Sequence, residues 1–189
     1  MLSVIIPTHN SEEPLVRTLA ALVPGATTGI VREVLVADGG SRDETEKVAD
    51  VAGCEFLSMD SPRGRRLKAA AAKARSPWFL FLLPGTVLDA PWTGEVGRFI
   101  QQPAHLNEAA VFRRGDRWQP ALRELRLLLS SALSGIPRAE QGLLLSRQLY
   151  DALGGHSEKA SNPDYDLLRR IGRERSIRLK TNAFYQGPF

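Results

Sequence analysis

The sequence predicts an α/β fold, a mostly parallel sheet flanked by helices within a single domain. Three observations predict it. Short apolar runs rich in branched and aromatic residues, Ser3-Val4-Ile5-Ile6-Pro7, Val34-Leu35-Val36-Ala37 and Trp78-Phe79-Leu80-Phe81-Leu82-Leu83, fit strands buried on both faces. Helical patterns stand between the early runs, and this alternation is the rhythm of parallel strands joined by right-handed crossovers. Each run also stops on a breaker: Pro7, Asp38-Gly39-Gly40 and Pro84-Gly85.

Taken in order, the first strand ends at Pro7, and Thr8-His9-Asn10 forms the loop beyond it. Ser11-Glu12-Glu13-Pro14 opens a helix with acids in its first turn; Leu15, Leu19 and Leu22 mark its apolar face and Pro24-Gly25 its end. After the Val34 to Ala37 strand, Ser41-Arg42-Asp43-Glu44 has the spacing of a capping box. A helix from Thr45 to about Val51 and a short strand from Cys54 to Leu57 follow. Ser61-Pro62-Arg63-Gly64 leads into an alanine-rich helix over Lys68 to Arg75. Beyond Pro84-Gly85 the pattern loosens. It predicts a helix over Gly94 to Gln102, a strand near Ala109 to Phe112, a turn at Arg114-Gly115-Asp116, and an apolar helix over Ala121 to Leu133. A strand over Gln141 to Leu145 and a helix over Arg147 to Leu153 come next, then a helix starting at Asn162-Pro163-Asp164 and ending near Gly172. Ile177 to Lys180 reads as an edge strand and the last residues as an unanchored tail.

The 189 residues suit one domain, residues 1–189, with no composition break marking a second. Met1-Leu2-Ser3 runs straight into the first strand without a basic-then-apolar leader, and no apolar stretch is long enough for a bilayer. A cytoplasmic location is therefore the expectation. Cys54 is the only cysteine, which excludes an internal disulfide and a cysteine-built metal site. The net charge of +4 is unevenly spread, with Arg63, Arg65, Arg66, Lys68, Lys73 and Arg75 in one acid-free stretch and a second cluster from Arg169 to Lys180. Such patches suit phosphates or an anionic membrane surface, against the plainer reading of a solvated helix face. No aromatic interleaving accompanies them, which argues against nucleic-acid binding. The Ala121 to Leu133 helix reads as core, with peripheral contact at the inner membrane face as the alternative.

Three features fall at one edge of the expected sheet: Pro7 to Asn10 after the first strand, Asp38 and Gly39 after the second, and the basic segment after the third. In open α/β sheets that edge binds ligands. A nucleotide there would meet Asp38 with its base or ribose and the arginines with its phosphates. The sequence has neither the Gly-x-Gly-x-x-Gly turn of dinucleotide sites nor a lysine phosphate loop.

The ordered set Ser3 to Asn10, Val36-Ala37-Asp38-Gly39-Gly40-Ser41-Arg42-Asp43-Glu44-Thr45, Arg63-Gly64-Arg65 and Trp78 to Leu82 resembles a family-2 glycosyltransferase of the GT-A (Rossmann-like) fold. The branch it most resembles is the short bacterial one associated with radical-SAM and selenium-domain proteins. Gly135-Ile136-Pro137, Gln141-Gly142-Leu143, Leu153-Gly154-Gly155 and Asp164-Tyr165-Asp166-Leu167 agree, so the likeness covers nearly the whole chain. It implies a nucleotide-binding half over residues 1–90 and an acceptor-side half over residues 91–189. It further implies an inverting sugar transfer from a UDP- or GDP-type nucleotide-sugar donor to a hydroxyl acceptor of unknown identity. By that likeness Pro7, Thr8, His9, Asn10, Asp38 and Gly39 hold the nucleotide, and Asp164 is the base that deprotonates the acceptor. Asp166, two residues on, reads as structural.

The sequence departs from the family where the family places its metal motif. A manganese or magnesium ion is usual there, bound by aspartates after the strand matching Trp78 to Leu82, but this chain has Leu83-Pro84-Gly85-Thr86 and no carboxylate before Asp89. Hard cations need oxygen ligands, so no metal-binding residue is assigned. Pro163 replaces the first acid of the pair that contains Asp164. Arg66 and Lys68 replace uncharged residues of the basic segment, and with Arg63 they are the candidates to neutralise the donor diphosphate in place of a metal. The alternative is a catalytically silent member of the fold that binds a nucleotide or a protein partner. His9, His105 and His156 are too scattered to suggest a metal site.

Overall fold

A computed structural model describes residues 1–115 and 137–186. The expected Ala121 to Leu133 helix, Asp116 of the expected turn, and Gly135-Ile136 lie outside the described residues. Eight strands form one sheet in the order β3-β2-β1-β4-β7-β6-β8-β5. They are β1 (Leu2–Thr8), β2 (Val31–Asp38), β3 (Glu55–Ser58), β4 (Trp78–Phe81), β5 (Thr86–Leu88), β6 (Ala109–Arg114), β7 (Leu143–Ser146) and β8 (Ser176–Tyr185). The helices are α1 (Glu12–Thr27), α2 (Thr45–Val51), α3 (Arg63–Lys73), α4 (Trp92–Gln101), α5 (Arg147–Ala152) and α6 (Pro163–Ile171).

Strands β1 to β4 run parallel, and β1 is central because it pairs with both β2 and β4. Its seven residues are all buried, as two-sided cover demands. Side chains alternate across the pleat. Leu2, Val4 and Ile6 pack with Leu15, Leu22 and Trp92 from α1 and α4, whereas Ile5 packs with Leu67, Leu149, Leu167 and Leu168 from α3, α5 and α6. β7 is antiparallel to β4, with Phe81 opposite Leu143, so the entry to β7 lies at the same sheet edge as the exits of β1, β2 and β4.

Several expectations shift. Helix α1 runs through Pro24-Gly25 to Thr27. Gly25 is needed there because a Cβ would lie 2.5 Å from the Trp92 ring. Helix α3 starts at Arg63, so Arg63 and Gly64 belong to its first turn. Ser41 does not cap α2, because its hydroxyl donates to Asp38 and its oxygen accepts the Asn10 amide at 2.8 Å. Strand β5 was not legible in the sequence. Strand β8 is ten residues long and lies between β6 and β5, and its last residues, expected as a loose tail, pair with β5 from Ala183 to Tyr185. Among the described residues no helix is long and apolar enough to cross a membrane.

Candidate active site

The loops after β1 and β2 are sewn together at the carboxyl edge. The Gly39 amide donates to Thr8 O at 2.9 Å, His9 Nδ1 lies 3.0 Å from Gly39 O, and Asn10 Oδ1 accepts the Arg42 amide at 2.8 Å. Asn10 holds φ +48°, a left-handed conformation that asparagine tolerates better than most side chains. Asp43 accepts the Glu12 amide at 3.1 Å and so closes the first turn of α1 onto the second loop.

Asp38 sits beneath this seam, 1% exposed. It accepts the Thr8 hydroxyl at 2.8 Å, the Gly40 and Ser41 amides at 2.8 Å each, and the Ser41 hydroxyl. Burial opposes its ionisation, but these donors outweigh it and hold the carboxyl below its ordinary value. Four bonds use the acceptor capacity of a carboxylate, so in this state Asp38 shapes the pocket and has no lone pair to offer. Arg66 reaches the same place from α3. Its Nη1 donates to Thr8 O at 2.7 Å and Ala37 O at 3.1 Å, joining the ends of β1 and β2. Gly39 makes room for it, since a Cβ there would lie 2.4 Å from Arg66 Nη1. Burial lowers the Arg66 pKa, with Asp38 raising it and Arg63 lowering it. Its charge rests on backbone carbonyls, and among the described residues no carboxylate pairs with it.

Asp164 approaches from the other side. Asn162 caps α6 by accepting the Tyr165 amide at 3.1 Å, which frees Asp164 from the capping role and turns it inward. With Pro7, Phe81, Leu83, Ala139 and Leu143 it lines a small pocket at the sheet edge. Arg63 Nη2 lies 2.7 Å from Asp164 Oδ2, and His156 Nε2 lies 3.8 Å from Oδ1. Burial pushes the Asp164 carboxyl above its ordinary value, and the Arg63 charge only partly offsets this. A buried carboxyl with a raised pKa is suited to taking a proton. Tyr185 at the end of β8 lies within electrostatic reach of Arg63 and of Glu140 before β7: burial raises the Tyr185 pKa, Glu140 adds to the rise and Arg63 opposes it. Asp166 faces away and pairs with Arg170 at 2.8 Å.

The edge therefore brings together Pro7, Thr8, His9, Asn10, Asp38, Gly39, Arg63, Arg66 and Asp164. Lys68 is exposed, five residues into α3 and so about 7.5 Å along the axis from Arg63, because α3 runs away from this edge. From the sequence, His156 is weighed only as a metal ligand, and Tyr150, Glu140 and Tyr185 are given no role. Only His156 carried a local signal, following the Gly154-Gly155 turn. The residues after β4, Leu82-Leu83-Pro84-Gly85, offer no carboxylate, and Asp89 is bound by Asn182 Nδ2 at 2.7 Å on the far strand β8. Among the described residues no three His, Cys, Asp or Glu side chains are grouped to hold a metal ion. The donor set does not fit the carboxylate-bound cation usual at this place.

The fold and the grouped side chains define an α/β domain with its candidate site at the carboxyl ends of parallel strands. Residues 3–115 match the family described as glycosyl transferase family 2, and the chain belongs to that family. Solved structures agree on the fold. Glucosyl-3-phosphoglycerate synthase from Mycobacterium tuberculosis, in complex with Mn2+, UDP and glucosyl-3-phosphoglycerate, is 19% identical with a TM-score of 0.71, over 100% of this chain and 72% of that one. TarS residues 1–349 from S. aureus, in complex with UDP-GlcNAc, is 17% identical with a TM-score of 0.73, over 100% of this chain and 59% of that one. No curated protein matches the sequence significantly.

Proposed function

We propose that this chain transfers a sugar from a UDP- or GDP-type nucleotide-sugar donor to a hydroxyl acceptor. The observation that carries this reading is Asp164, a buried carboxylate with a raised pKa at the ligand-binding edge, set against the cation Arg63. In the reaction the acceptor O–H proton passes to Asp164. The acceptor oxygen bonds to the anomeric carbon, and the bond from that carbon to the diphosphate oxygen breaks, its electron pair leaving with the nucleoside diphosphate. Residues 1–90 form the nucleotide half, with Pro7, Thr8, His9, Asn10 and Gly39 as its wall and Asp38 holding that wall in shape. Residues 91–189 form the acceptor half.

Arg63 and Arg66 at the edge neutralise the diphosphate, with Lys68 contributing from further down α3. This makes transfer independent of a divalent ion, which fits the missing carboxylate after β4. Solved relatives bind UDP, UDP-glucose or UDP-GlcNAc, and UDP sugars are the first donors to test. Purified protein incubated with them in EDTA is expected to release UDP when offered acceptor alcohols, and Asp164→Asn is expected not to. The same missing carboxylate, together with Pro163 before Asp164, favours a second reading in which the fold binds a nucleotide without turnover. UDP binding with no release under any condition would support that reading.

A further inference from the structure

The wall behind Asp164 holds a group that the transfer described above does not use. His156, in the loop between α5 and α6, is 1% exposed. Tyr150 Oη accepts the His156 backbone N–H at 3.2 Å and lies 3.0 Å from His156 Nδ1. Among the described residues the Tyr150 hydroxyl proton has no acceptor other than Nδ1, so the hydroxyl is assigned as the donor to Nδ1. Burial, with the charges of Arg63 and Arg170, pushes the imidazole down to about 3, so the ring is neutral at physiological pH. A neutral imidazole that accepts at Nδ1 carries its proton on Nε2. That Nε2 has no hydrogen-bond partner among the described residues and faces Asp164 Oδ1 at 3.8 Å. Phe81 meets the imidazole edge-on at 4.7 Å between ring centres and shuts off the wall. An unpaired buried donor is costly and calls for an explanation.

We propose that His156 is a positioning residue for Asp164: Tyr150 fixes its Nε2–H tautomer, and Asp164 Oδ1 closes onto that N–H when the donor diphosphate draws Arg63 away from Oδ2. The inference rests on Asp164 being the base. Arg63 has two claims on it, the carboxylate it now holds and the diphosphate it is placed to meet. A buried carboxylate that lost the charge of Arg63 would take up a proton and cease to be a base. A neutral donor keeps it ionised without competing for the diphosphate. About 0.9 Å of movement converts the present separation into a hydrogen bond. The groups involved are few: Arg63 from α3 and His156 face Asp164, while Tyr150 from α5, Arg170 and Asp164 from α6, and Arg63 face His156.

The test is nuclear magnetic resonance of the full chain saturated with UDP, following imidazole nitrogens and aspartate carboxyl carbons, with the Asp164 signal assigned by its loss in Asp164→Asn. We expect the Nε2–H tautomer. We also expect the Asp164 carboxyl to titrate at least half a pH unit higher in His156→Phe, about a threefold gain in proton affinity. His156→Gln, which keeps an N–H, should return it toward the wild-type value. Should His156→Phe not fold, Tyr150→Phe serves: its imidazole should shift toward the Nδ1–H tautomer and its Asp164 titration should rise. An Nδ1–H tautomer in the wild type, an unmoved Asp164 titration, or no recovery in His156→Gln would overturn the proposal. Turnover separates the two assignments. An active Asp164→Asn removes the base and this role with it, whereas an inactive Asp164→Asn with an unmoved titration removes His156 alone.

Discussion

Asp164 and His156 lie side by side with pKa values displaced by burial in opposite directions, and both displacements can be measured. For Asp164 the shift is upward, so turnover should fall as pH drops through a value above that of an ordinary aspartate, because a base works only when ionised. Replacing it with asparagine should cost about 10²- to 10⁴-fold in turnover and leave donor affinity unchanged; a matching loss of affinity would mean a binding role instead. For His156 the folded value lies near 3, below the unfolded value of 6.5, so the unfolded chain binds the proton more readily. Stability from this group is complete above about pH 6.5 and drains away as pH falls toward 3. Relative to His156→Phe, the wild type should lose about 2 kcal/mol between pH 7.5 and 5 in urea unfolding. Parallel curves for the two proteins would contradict a buried neutral imidazole. The sequence pointed to Asp38 because it ends a strand and to Asp164 through the family resemblance. It could not give their states. That Asp38 is saturated and Asp164 is turned inward depends on Ser41, Asn162 and Arg63, whose side chains each had another plausible partner nearby.

Among the elements, α3 does most to set the site. Its first turn carries Arg63 to Asp164 and Arg66 to the ends of β1 and β2, and it approaches the loop before α6 closely. At Gly64 a Cβ would lie 2.0 Å from Ser157 O, a backbone atom next to His156. Gly64→Ala should therefore destabilise the fold by about 3 kcal/mol in urea unfolding, the upper range for an overpacked position; a loss below 0.5 kcal/mol would mean that the two elements sit further apart. The alanine run made the body of α3 legible through propensity, but its start was read five residues late because Arg63-Gly64 looks like turn sequence. Pro62 at the cap and the packing of Gly64 override that local signal. The same conflict between local and tertiary preference carried α1 past Pro24-Gly25 and left Ser41 serving Asp38 instead of α2.

At the scale of the molecule, the parallel strands β1 to β4 build the edge proposed for the nucleotide and the antiparallel strands bring Asp164's surroundings up to it. The first part was legible because apolar runs and helices alternate locally. The second was not, because β5 is only three residues long and β8 is held by partners about a hundred residues away, at Thr86 to Leu88. In the proposed function a nucleoside diphosphate binds this edge through Arg63 and Arg66 without a divalent ion. Isothermal titration of the protein with UDP, in EDTA and in manganese, tests it most directly. Binding is expected in EDTA at an affinity similar to that in manganese, weakened at least tenfold in Arg63→Ala. Binding that appears only with manganese, or no binding in either, would contradict it.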